Sequence, residues 1–232
     1  RKICETKGEI IGWKSDFSKY FDSVPIQFID DAFDKVEAKW GHSSIIDVLR
    51  KYYHSDLYFD TDGLLQEKYQ SLKQGCSVAS WLANVVMFSL DERLSQLNGE
   101  YVRYSDDALF VGPDHEIAMQ IMEEEVSKRD MELNPKKIEF LTHTRWFKFL
   151  GYSIKGADIS LSQTRIKAFQ KEIESRTLRF KGATLSKAMY LVNQYLYRGN
   201  GEYSWATSIL PVVNVDKDIQ TLGVFVMDCL RA

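Results

Sequence analysis

In the stretch YVRYSDDALFVG, residues 101–112, two short apolar arms flank a pair of adjacent aspartates. Arms of this kind predict β-strands, and the aspartates predict a turn between them. The predicted unit is a β-hairpin with Asp106 and Asp107 at its apex. Aspartate is a favoured turn former, so the pair by itself is interpreted either as a solvated turn or as functional acids.

A third carboxylate follows the first predicted strand of the chain. The segment EIIGWKSDF, residues 9–17, is apolar and carries Asp16 near its end. We expect this strand-end carboxylate to lie beside the hairpin apex. Clustered carboxylates repel one another unless a divalent cation lies among them, and Mg²⁺ binds through a few carboxylates plus substrate phosphates. The three acids therefore predict a magnesium site for phosphoryl transfer, in which two ions assist the attacking and leaving oxygens.

Helical and strand patterns surround these two segments. Two helices divided at Gly41 are predicted over residues 26–54, followed by a hairpin over residues 57–72 around an Asp-Gly turn. One long helix is predicted over residues 77–97 and another over residues 116–128. The order strand, helices, hairpin, helix, strand is typical of a split βαβ sheet. The predicted fold class is therefore α+β.

Short strands and then helices are predicted in the last part of the chain. The strands are expected at residues 137–141, 147–155 and 159–161. The helices are expected at residues 163–179, 186–198 and 216–231. Because the pattern changes from strands to helices near Ser160, we predict a domain boundary there.

The composition is that of a globular protein. Its 232 residues are 44% hydrophobic and 27% charged, which excludes the disordered and fibrous classes. Three scattered cysteines without a CxxC pair predict reduced thiols rather than disulfides or a structural zinc site. No apolar run reaches about 18 residues and no signal-peptide pattern opens the chain, so we expect no membrane partner and a cytoplasmic location.

Basic residues are concentrated in one part of an otherwise slightly acidic chain. The net charge of −3 argues against a strongly basic nucleic-acid binder. Between residues 145 and 187, however, ten basic residues stand against three acidic ones. Charge alone leaves two interpretations open, a surface for a polyanion and a solvated helix face.

Four ordered blocks of the sequence resemble the palm motifs of reverse transcriptases, closest to the prokaryotic kind found in group II introns, retrons and defence systems. KSDFSKYFDSV, residues 14–24, is similar to the family's first motif, D-x-x-x-[FY]-F-D. QGCSVASWLANVVMFSLD, residues 74–91, resembles the second, and YSDD, residues 104–107, is the signature tetrapeptide. LNPKK and FLGY, residues 133–137 and 149–152, resemble the later lysine motif and the primer-grip hairpin.

The resemblance implies a fold and an activity. It implies a ferredoxin-like polymerase palm at residues 1–160, with residual fingers elements at residues 26–72, followed by an all-α thumb at residues 161–232. The implied activity is that of an RNA-directed DNA polymerase, which adds dNTPs to a primer 3′-OH on an RNA template with two Mg²⁺ ions, or Mn²⁺ as a substitute. The implied partners are the RNA template and primer strand, dNTPs and a structured cognate RNA.

The resemblance also assigns roles in catalysis. Asp16 and Asp106 match the metal ligands, with Asp107 close by and the carbonyl of Phe17 as a further oxygen. Lys137 matches the residue that would neutralise or protonate the pyrophosphate, as phosphoryl transfer requires. A solvated surface lysine is the other interpretation of Lys137.

Further positions match nucleotide and primer contacts. Phe21 lies where the family has the aromatic gate that blocks a ribose 2′-OH, although a phenylalanine there is also explained by core packing. Gln74 and Gly75 match the turn beneath the incoming nucleotide, where glycine allows close backbone approach. The residues matched to the primer grip are Phe149, Leu150, Gly151 and Tyr152.

The chain departs from the family's pattern in two places. Ala79-Ser80 stands where relatives commonly have Ser-Pro, and Lys73 replaces the usual proline before Gln74. Only fifteen residues precede Asp16, so we expect the family's fingers segment to lie upstream of this chain. Three alternative functions are a non-catalytic, maturase-like RNA-binding protein, an untemplated or RNA-making polymerase, and a nucleotide cyclase. The basic tail and the Gln-Gly turn disfavour the cyclase.

Overall fold

The structure is a computed structural model that describes residues 11–59, 62–67, 71–73, 75–179, 184–198 and 203–232. The described residues divide into two compact units, 11–141 and 142–232, each with its own hydrophobic core. This division does not test the predicted boundary between a palm and a thumb near Ser160, which stays a prediction.

The first unit is built around one antiparallel sheet. Its elements in chain order are β1 (Ile11–Asp16), α1 (Tyr20–Ser23), α2 (Ile26–Trp40), α3 (Ser44–His54), β2 (Leu57–Phe59), β3 (Leu65–Glu67), α4 (Ser77–Val86), α5 (Phe88–Ser95), β4 (Glu100–Tyr104), β5 (Asp107–Val111), α6 (His115–Ser127) and β6 (Glu139–Thr142). The central sheet has the order β4-β5-β1-β6, and β5 is antiparallel to both of its neighbours. The strands β2 and β3 form a separate antiparallel hairpin, as predicted.

The pairing of β1 with β5 is close and well packed. Trp13 lies opposite Phe110, and their rings stack with centroids 6.0 Å apart. The indole N–H of Trp13 donates to the carbonyl of His115 over 2.8 Å, which satisfies its polar atom within the core. At the neighbouring position, a Cβ on Gly12 would lie 2.1 Å from the carbonyl oxygen of Phe110. Glycine is therefore required at this point of the sheet.

The single long helix predicted over residues 77–97 is wrong, because the structure contains two helices that meet at Met87. Met87 has φ −99° and ψ 10°, outside helical geometry, and its side chain is fully buried. The break allows Leu82 and Val86 of α4, and Leu90 and Leu94 of α5, all to face the core. No glycine or proline marks the break, so tertiary packing of apolar side chains overrides local helix propensity.

The second unit combines a small sheet with helices. Its elements are β7 (Phe147–Phe149), β8 (Tyr152–Lys155), β9 (Asp158–Leu161), α7 (Gln163–Arg176), α8 (Leu185–Arg198), a π-helical turn (Trp205–Ile209), a 3₁₀ turn (Leu210–Val212) and α9 (Asp216–Arg231). The three strands form the antiparallel sheet β7-β8-β9. The core of this unit contains aromatic rings, among them those of Phe169 and Trp205, which meet edge to face with centroids 4.5 Å apart.

The continuous strand predicted over residues 147–155 is also wrong, because the chain reverses within it. Leu150 and Gly151 have φ of 47° and 81° and form a two-residue turn between Phe149 and Tyr152. Positive φ at both central residues is what a type I′ hairpin turn requires. Apolar and polar residues alternate on both sides of the turn, but the apolar positions shift from Phe147 and Phe149 before it to Tyr152 and Ile154 after it.

Two further predictions concern the thiols and the membrane. Cys76 and Cys229 are free thiols, and Cys4 lies outside the described residues. None of the helices in the described part of the chain combines the length and apolar composition needed to span a bilayer. The cytoplasmic location stays a prediction.

A buried carboxylate fastens α5 to α6. The carboxylate of Glu125, buried on α6, accepts hydrogen bonds from Arg93, Lys128, Arg129 and Ser89 at 2.7–2.9 Å. Burial by itself raises the pKa of Glu125, but these four hydrogen bonds hold it well below its usual range. A carboxylate with a lowered folded-state pKa stabilises the fold above its unfolded pKa of about 4.3, and that stabilisation is lost as the pH falls toward the folded-state value.

We expect Glu125→Gln to lower the free energy of unfolding by about 3 kcal/mol at pH 7, because Arg129 would stay buried without its counter-ion. Urea denaturation at pH 7 and at pH 3 measures this, and the difference from wild type should shrink at pH 3. The matched control is Glu124→Gln, which removes an exposed carboxylate paired with Arg93 and should cost less than about 1 kcal/mol. Equal losses for both variants at both pH values would contradict the assigned role of Glu125.

Candidate active site

The pairing of β1 with β5 brings together the three acids singled out in the sequence. Asp16 lies opposite Asp107 where β1 ends and β5 begins. The N–H of Phe17 donates to the carbonyl of Asp106 over 3.3 Å, which ties the β4–β5 turn to the end of β1. The prediction that Asp107 lies at the apex of the hairpin is wrong, because Asp107 already pairs with Tyr104 in the sheet. Only Ser105 and Asp106 form the turn.

Burial and mutual repulsion act on these carboxylates. Burial, followed by the negative charges of Asp106 and Asp16, raises the pKa of Asp107 above its usual value. The ammonium of Lys137 lies 2.7 Å from Oδ2 of Asp16, and this hydrogen bond raises the pKa of Lys137. The end of the sheet therefore concentrates negative charge and already attracts one cation.

The donors at this end of the sheet fit a hard divalent cation by type. They are three aspartate carboxylates and the backbone carbonyl of Phe17, which are oxygen ligands of the kind that Mg²⁺ prefers. Lys137 supplies positive charge at one of these carboxylates. A second set of potential metal ligands lies elsewhere in the described part of the chain. It consists of Glu37, His42 and Asp47, whose candidate ligand atoms all lie within 4.8 Å of one another. There an exposed imidazole bridges two carboxylates at the corner between α2 and α3.

The turn between β4 and β5 is strained at its first residue. Ser105 has a φ of 58°, in the left-handed region, which costs a non-glycine residue about 1–3 kcal/mol. Its hydroxyl is buried and has no hydrogen-bond partner among the described residues. Strain of this kind is typical of functional sites and persists only where the surrounding structure holds it.

Aromatic side chains connect the end of β1 to α4. The buried ring of Phe17 stacks on Tyr20 with centroids 5.1 Å apart, and the hydroxyl of Tyr20 donates to the carbonyl of Ala83. Phe21 is half-buried, and its ring meets that of Tyr20 edge to face at 5.7 Å. Phe21 therefore packs against the core without being enclosed by it.

The segment before α4 is held by bonds to backbone carbonyls. Ser71 donates to two carbonyls at the end of α1 over 3.0 and 2.8 Å. The buried ammonium of Lys73 donates to two carbonyls at the end of α3 over 2.6 and 2.5 Å. Gly75 follows with a φ of 87°, a conformation that glycine adopts readily. Gln74, its predicted companion at the nucleotide site, lies outside the described residues.

Two residues next to the turn were missed by sequence reasoning. Arg103 and Asp91 form an ion pair, and the Arg103 guanidinium also donates to the carbonyl of Ser105. A signal was present in the sequence, because a charged residue interrupts the apolar arm YVRY. The partner could not be predicted, since the contact depends on how α5 packs beside β4.

The residues matched to the primer grip lie in the second unit, on the hairpin of β7 and β8. The guanidinium of Arg165 donates to the carbonyl of Leu150 over 3.1 Å and lies over the ring of Tyr152 at 4.6 Å. A Cβ on Gly151 would meet this guanidinium at 2.7 Å. The turn formed by Leu150 and Gly151 is therefore held from one side by α7.

Two lysines of α7 form an exposed basic face. Lys167 and Lys171 are one helical turn apart, and both are exposed. Arg176 and Arg179 instead pair with glutamates of the same helix. The basic excess of this segment is therefore divided between internal ion pairs and a pair of solvent-facing cations.

The chain is similar to a known protein family and to several solved structures. The family model for reverse transcriptase (RNA-dependent DNA polymerase) matches residues 1–154. No match is found among curated proteins. Among solved structures, the chain is similar to the apo telomerase of Candida tropicalis, with a TM-score of 0.57 and 11% identity over 96% of this chain and 40% of that one.

Two other solved structures share the fold. Telomerase from Candida tropicalis with the TWJ fragment of telomeric RNA has a TM-score of 0.56 and 12% identity over 100% of this chain and 40% of that one. The RNA-dependent RNA polymerase of a human picobirnavirus has a TM-score of 0.50 and 14% identity over 67% of this chain and 31% of that one. The chain thus spans less than half the length of each of these structures.

These similarities, together with the antiparallel sheets and helices, confirm the predicted fold class, an α+β polymerase palm followed by a helical thumb. The family model covers more than half of the chain and includes both segments that carry the acids. The chain therefore belongs to the reverse transcriptase family.

Proposed function

We propose that the chain is the polymerase region of an RNA-directed DNA polymerase of the prokaryotic type, which adds dNTPs to a primer 3′-OH on an RNA template. One observation carries the proposal: Asp16 lies opposite Asp107, with Asp106 in the adjoining turn and Lys137 in contact. Clustered carboxylates repel one another, and burial with the neighbouring charges raises the pKa of Asp107, so their convergence is expected where cations and phosphates bind. Family membership supports nucleotidyl transfer as the reaction class.

We assign the metal-holding role to Asp16 and Asp106, with Asp107 close by and the carbonyl of Phe17 as a further oxygen. These hard oxygen donors suit Mg²⁺, with Mn²⁺ as a substitute. When bound, a pair of such ions supplies positive charge to the attacking and leaving oxygens of an in-line displacement.

We assign to Lys137 the neutralisation or protonation of the pyrophosphate. Its ammonium is more than half exposed, although it contacts Asp16. The hydrogen bond to Asp16 raises the pKa of Lys137, so this ammonium stays charged at neutral pH beside the acids. A cation in this position stabilises charge that develops on a leaving phosphate.

The remaining assignments concern the nucleotide and the primer. Phe21 would exclude a ribose 2′-OH with its exposed side, since its other side is fixed against Tyr20. Gln74 and Gly75 would lie beneath the incoming nucleotide, where the glycine backbone allows close approach. The primer 3′ end would be held by the hairpin residues Phe149, Leu150, Gly151 and Tyr152.

Nucleic-acid partners are proposed on two grounds. One similar structure is a telomerase bound to a fragment of telomeric RNA, which supports an RNA partner for this chain as well. The exposed cations Lys167 and Lys171 suit the sugar-phosphate backbone of a template–primer duplex. A structured cognate RNA is a further proposed partner, and a role in a retroelement or in antiviral defence is part of the proposal.

We expect Asp106→Asn to reduce primer extension by about 10³-fold or more, because stabilisation by the metal ions is worth several kcal/mol. The assay uses an RNA template, a DNA primer, dNTPs and Mg²⁺, with protein that includes any residues upstream of this chain. Asp130→Asn is the control, because Asp130 is an exposed aspartate in the turn after α6.

Three outcomes of this assay separate the candidate functions. Extension that is lost only in Asp106→Asn supports the polymerase. Salt-dependent RNA binding without extension, unchanged in Asp106→Asn, would instead indicate the non-catalytic RNA-binding protein. Extension that does not depend on template sequence would indicate the untemplated polymerase.

Sugar selection tests the assignment of Phe21. Phe21→Ala removes the ring that would clash with a ribose 2′-OH, so the preference for dNTPs over rNTPs should fall by roughly 10- to 100-fold. The ratio of kcat/KM for the two sugars measures this. The control is Phe28→Ala, another partly buried phenylalanine on the same core, for which the ratio should stay constant. An unchanged ratio in Phe21→Ala would remove the gate role and leave core packing.

The salt dependence of duplex binding tests the basic face of α7. We expect the double variant Lys167→Ala/Lys171→Ala to bind a template–primer duplex more weakly, and the slope of log affinity against log salt to fall by about one for each lost phosphate contact. Titrations across about 50–200 mM salt measure the slope. Lys217→Ala removes an exposed lysine from α9 and is the control. An equal effect per charge in the control would indicate only general electrostatic attraction.

A further inference from the structure

A partly buried ion pair between Arg103 and Asp91 lies beside the turn that carries Asp106. The Arg103 side chain, on β4, is 4% exposed, and Asp91 is on α5. Nε of Arg103 donates to one carboxylate oxygen of Asp91 over 2.8 Å, and Nη2 donates to the other over 2.5 Å. This two-pronged contact fixes the plane of the guanidinium as well as its position.

The remaining nitrogen of the guanidinium contacts the turn itself. Nη1 of Arg103 donates to the carbonyl of Ser105 over 3.0 Å and lies 3.4 Å from the carbonyl of Ala83 in α4. Tyr20, which follows the strand of Asp16, donates to the same Ala83 carbonyl. The carbonyl of Ala83 in α4 therefore contacts both Arg103, which holds the turn of Asp106, and Tyr20, which follows the strand of Asp16.

The balance of burial and charge keeps this arginine charged and in place. Burial by itself lowers the pKa of Arg103, but the hydrogen bonds and charge of Asp91 raise it by more. Asp91 is also held by the hydroxyl of Tyr101, which donates to it over 3.0 Å. The position of the Arg103 guanidinium that contacts the turn is therefore fixed by its bonds to Asp91.

The carbonyl that Arg103 holds belongs to the strained residue of the turn. The peptide group that joins Ser105 to Asp106 is planar, so fixing its oxygen fixes the direction in which the backbone enters Asp106. The φ of 58° at Ser105 is unfavourable for a residue other than glycine. The hydroxyl of Ser105 does not stabilise this conformation, because it has no hydrogen-bond partner among the described residues. The Arg103 contact opposes the tendency of this turn to relax.

We propose that Arg103, anchored by Asp91, is a positioning residue that holds the Ser105–Asp106 peptide and thereby aims the Asp106 carboxylate. This role rests on the proposed polymerase function. Lysine cannot replace arginine here, because a single ammonium lacks the planar fork that grips Asp91 and the Ser105 carbonyl together. The role concerns the rate of the chemical step rather than the binding of nucleic acid.

The test is steady-state primer extension by Arg103→Lys in wild-type and Ser105→Gly backgrounds, at a temperature where circular dichroism shows each variant folded. We expect kcat to fall by roughly 10- to 100-fold in Arg103→Lys, as for a misplacement of about 1 Å, with KM for template–primer little changed. In the Ser105→Gly background the loss should be smaller, because glycine adopts the positive φ without support. A residue needed only for stability would give no such coupling.

Arg50→Lys is the matched control. Arg50 also joins several carboxylates within the first unit, namely Asp30, Asp34 and Glu37, but it does not touch the turn. Its variant should lose stability without loss of kcat. A kcat loss in Arg50→Lys equal to that in Arg103→Lys, or a loss in Arg103→Lys that is the same in both backgrounds, would overturn the positioning role.

A second variant covers the case in which Arg103→Lys does not fold. Asp91→Asn keeps the shape of the anchor and removes its charge, and it should show the same fall in kcat and the same relief by Ser105→Gly. If the wild-type protein extends primers and the folded Asp91→Asn variant has an undiminished kcat, the positioning role is overturned but the proposed function is not. Absence of extension by the wild-type protein would overturn the proposed function and this role with it.

Discussion

The antiparallel register of β1 against β5 fixes both the core packing and the position of the acids in the first unit. It sets Asp16 opposite Asp107 and, three residues earlier on β1, Trp13 opposite Phe110. Successive side chains of a strand point to opposite faces, so a shift of one residue would move Trp13 out of the core and Asp16 away from the other acids. Core packing and the convergence of the carboxylates are thus enforced by the same ladder of hydrogen bonds.

Arginine side chains fasten the elements around that ladder. Arg50 joins α3 to α2, Arg129 and Glu125 join α6 to α5, and Arg103 joins β4 to the helix pair α4 and α5. A guanidinium has five donors in a fixed plane, so each can satisfy a carboxylate and backbone carbonyls together. Such bonds are directional, whereas apolar contacts tolerate small shifts. The first unit therefore combines an apolar core with directional contacts, of which those of Arg103 reach the turn that carries Asp106.

Periodic patterns predicted most elements of the fold, and their failures have local causes. The helices α2, α3 and α9 and the β4–β5 hairpin were expected from spacing, because their apolar positions follow a single face. The break at Met87 could not be predicted, since it follows from packing rather than from glycine or proline. At the site, motif resemblance selected Asp16, Asp106 and Lys137, which the structure brings together. The pairing of Arg103 with Asp91 could not be predicted from the sequence, because it depends on how α5 packs beside β4.

The absence of a side chain at Gly12 has a genetic consequence. Every other amino acid would add a Cβ that collides with the backbone of β5, and a backbone atom cannot move aside as a flexible side chain can. No substitution at this codon is conservative in the usual sense of size or polarity. Missense changes there would disrupt the pairing of β1 with β5, although Gly12 itself has no functional group.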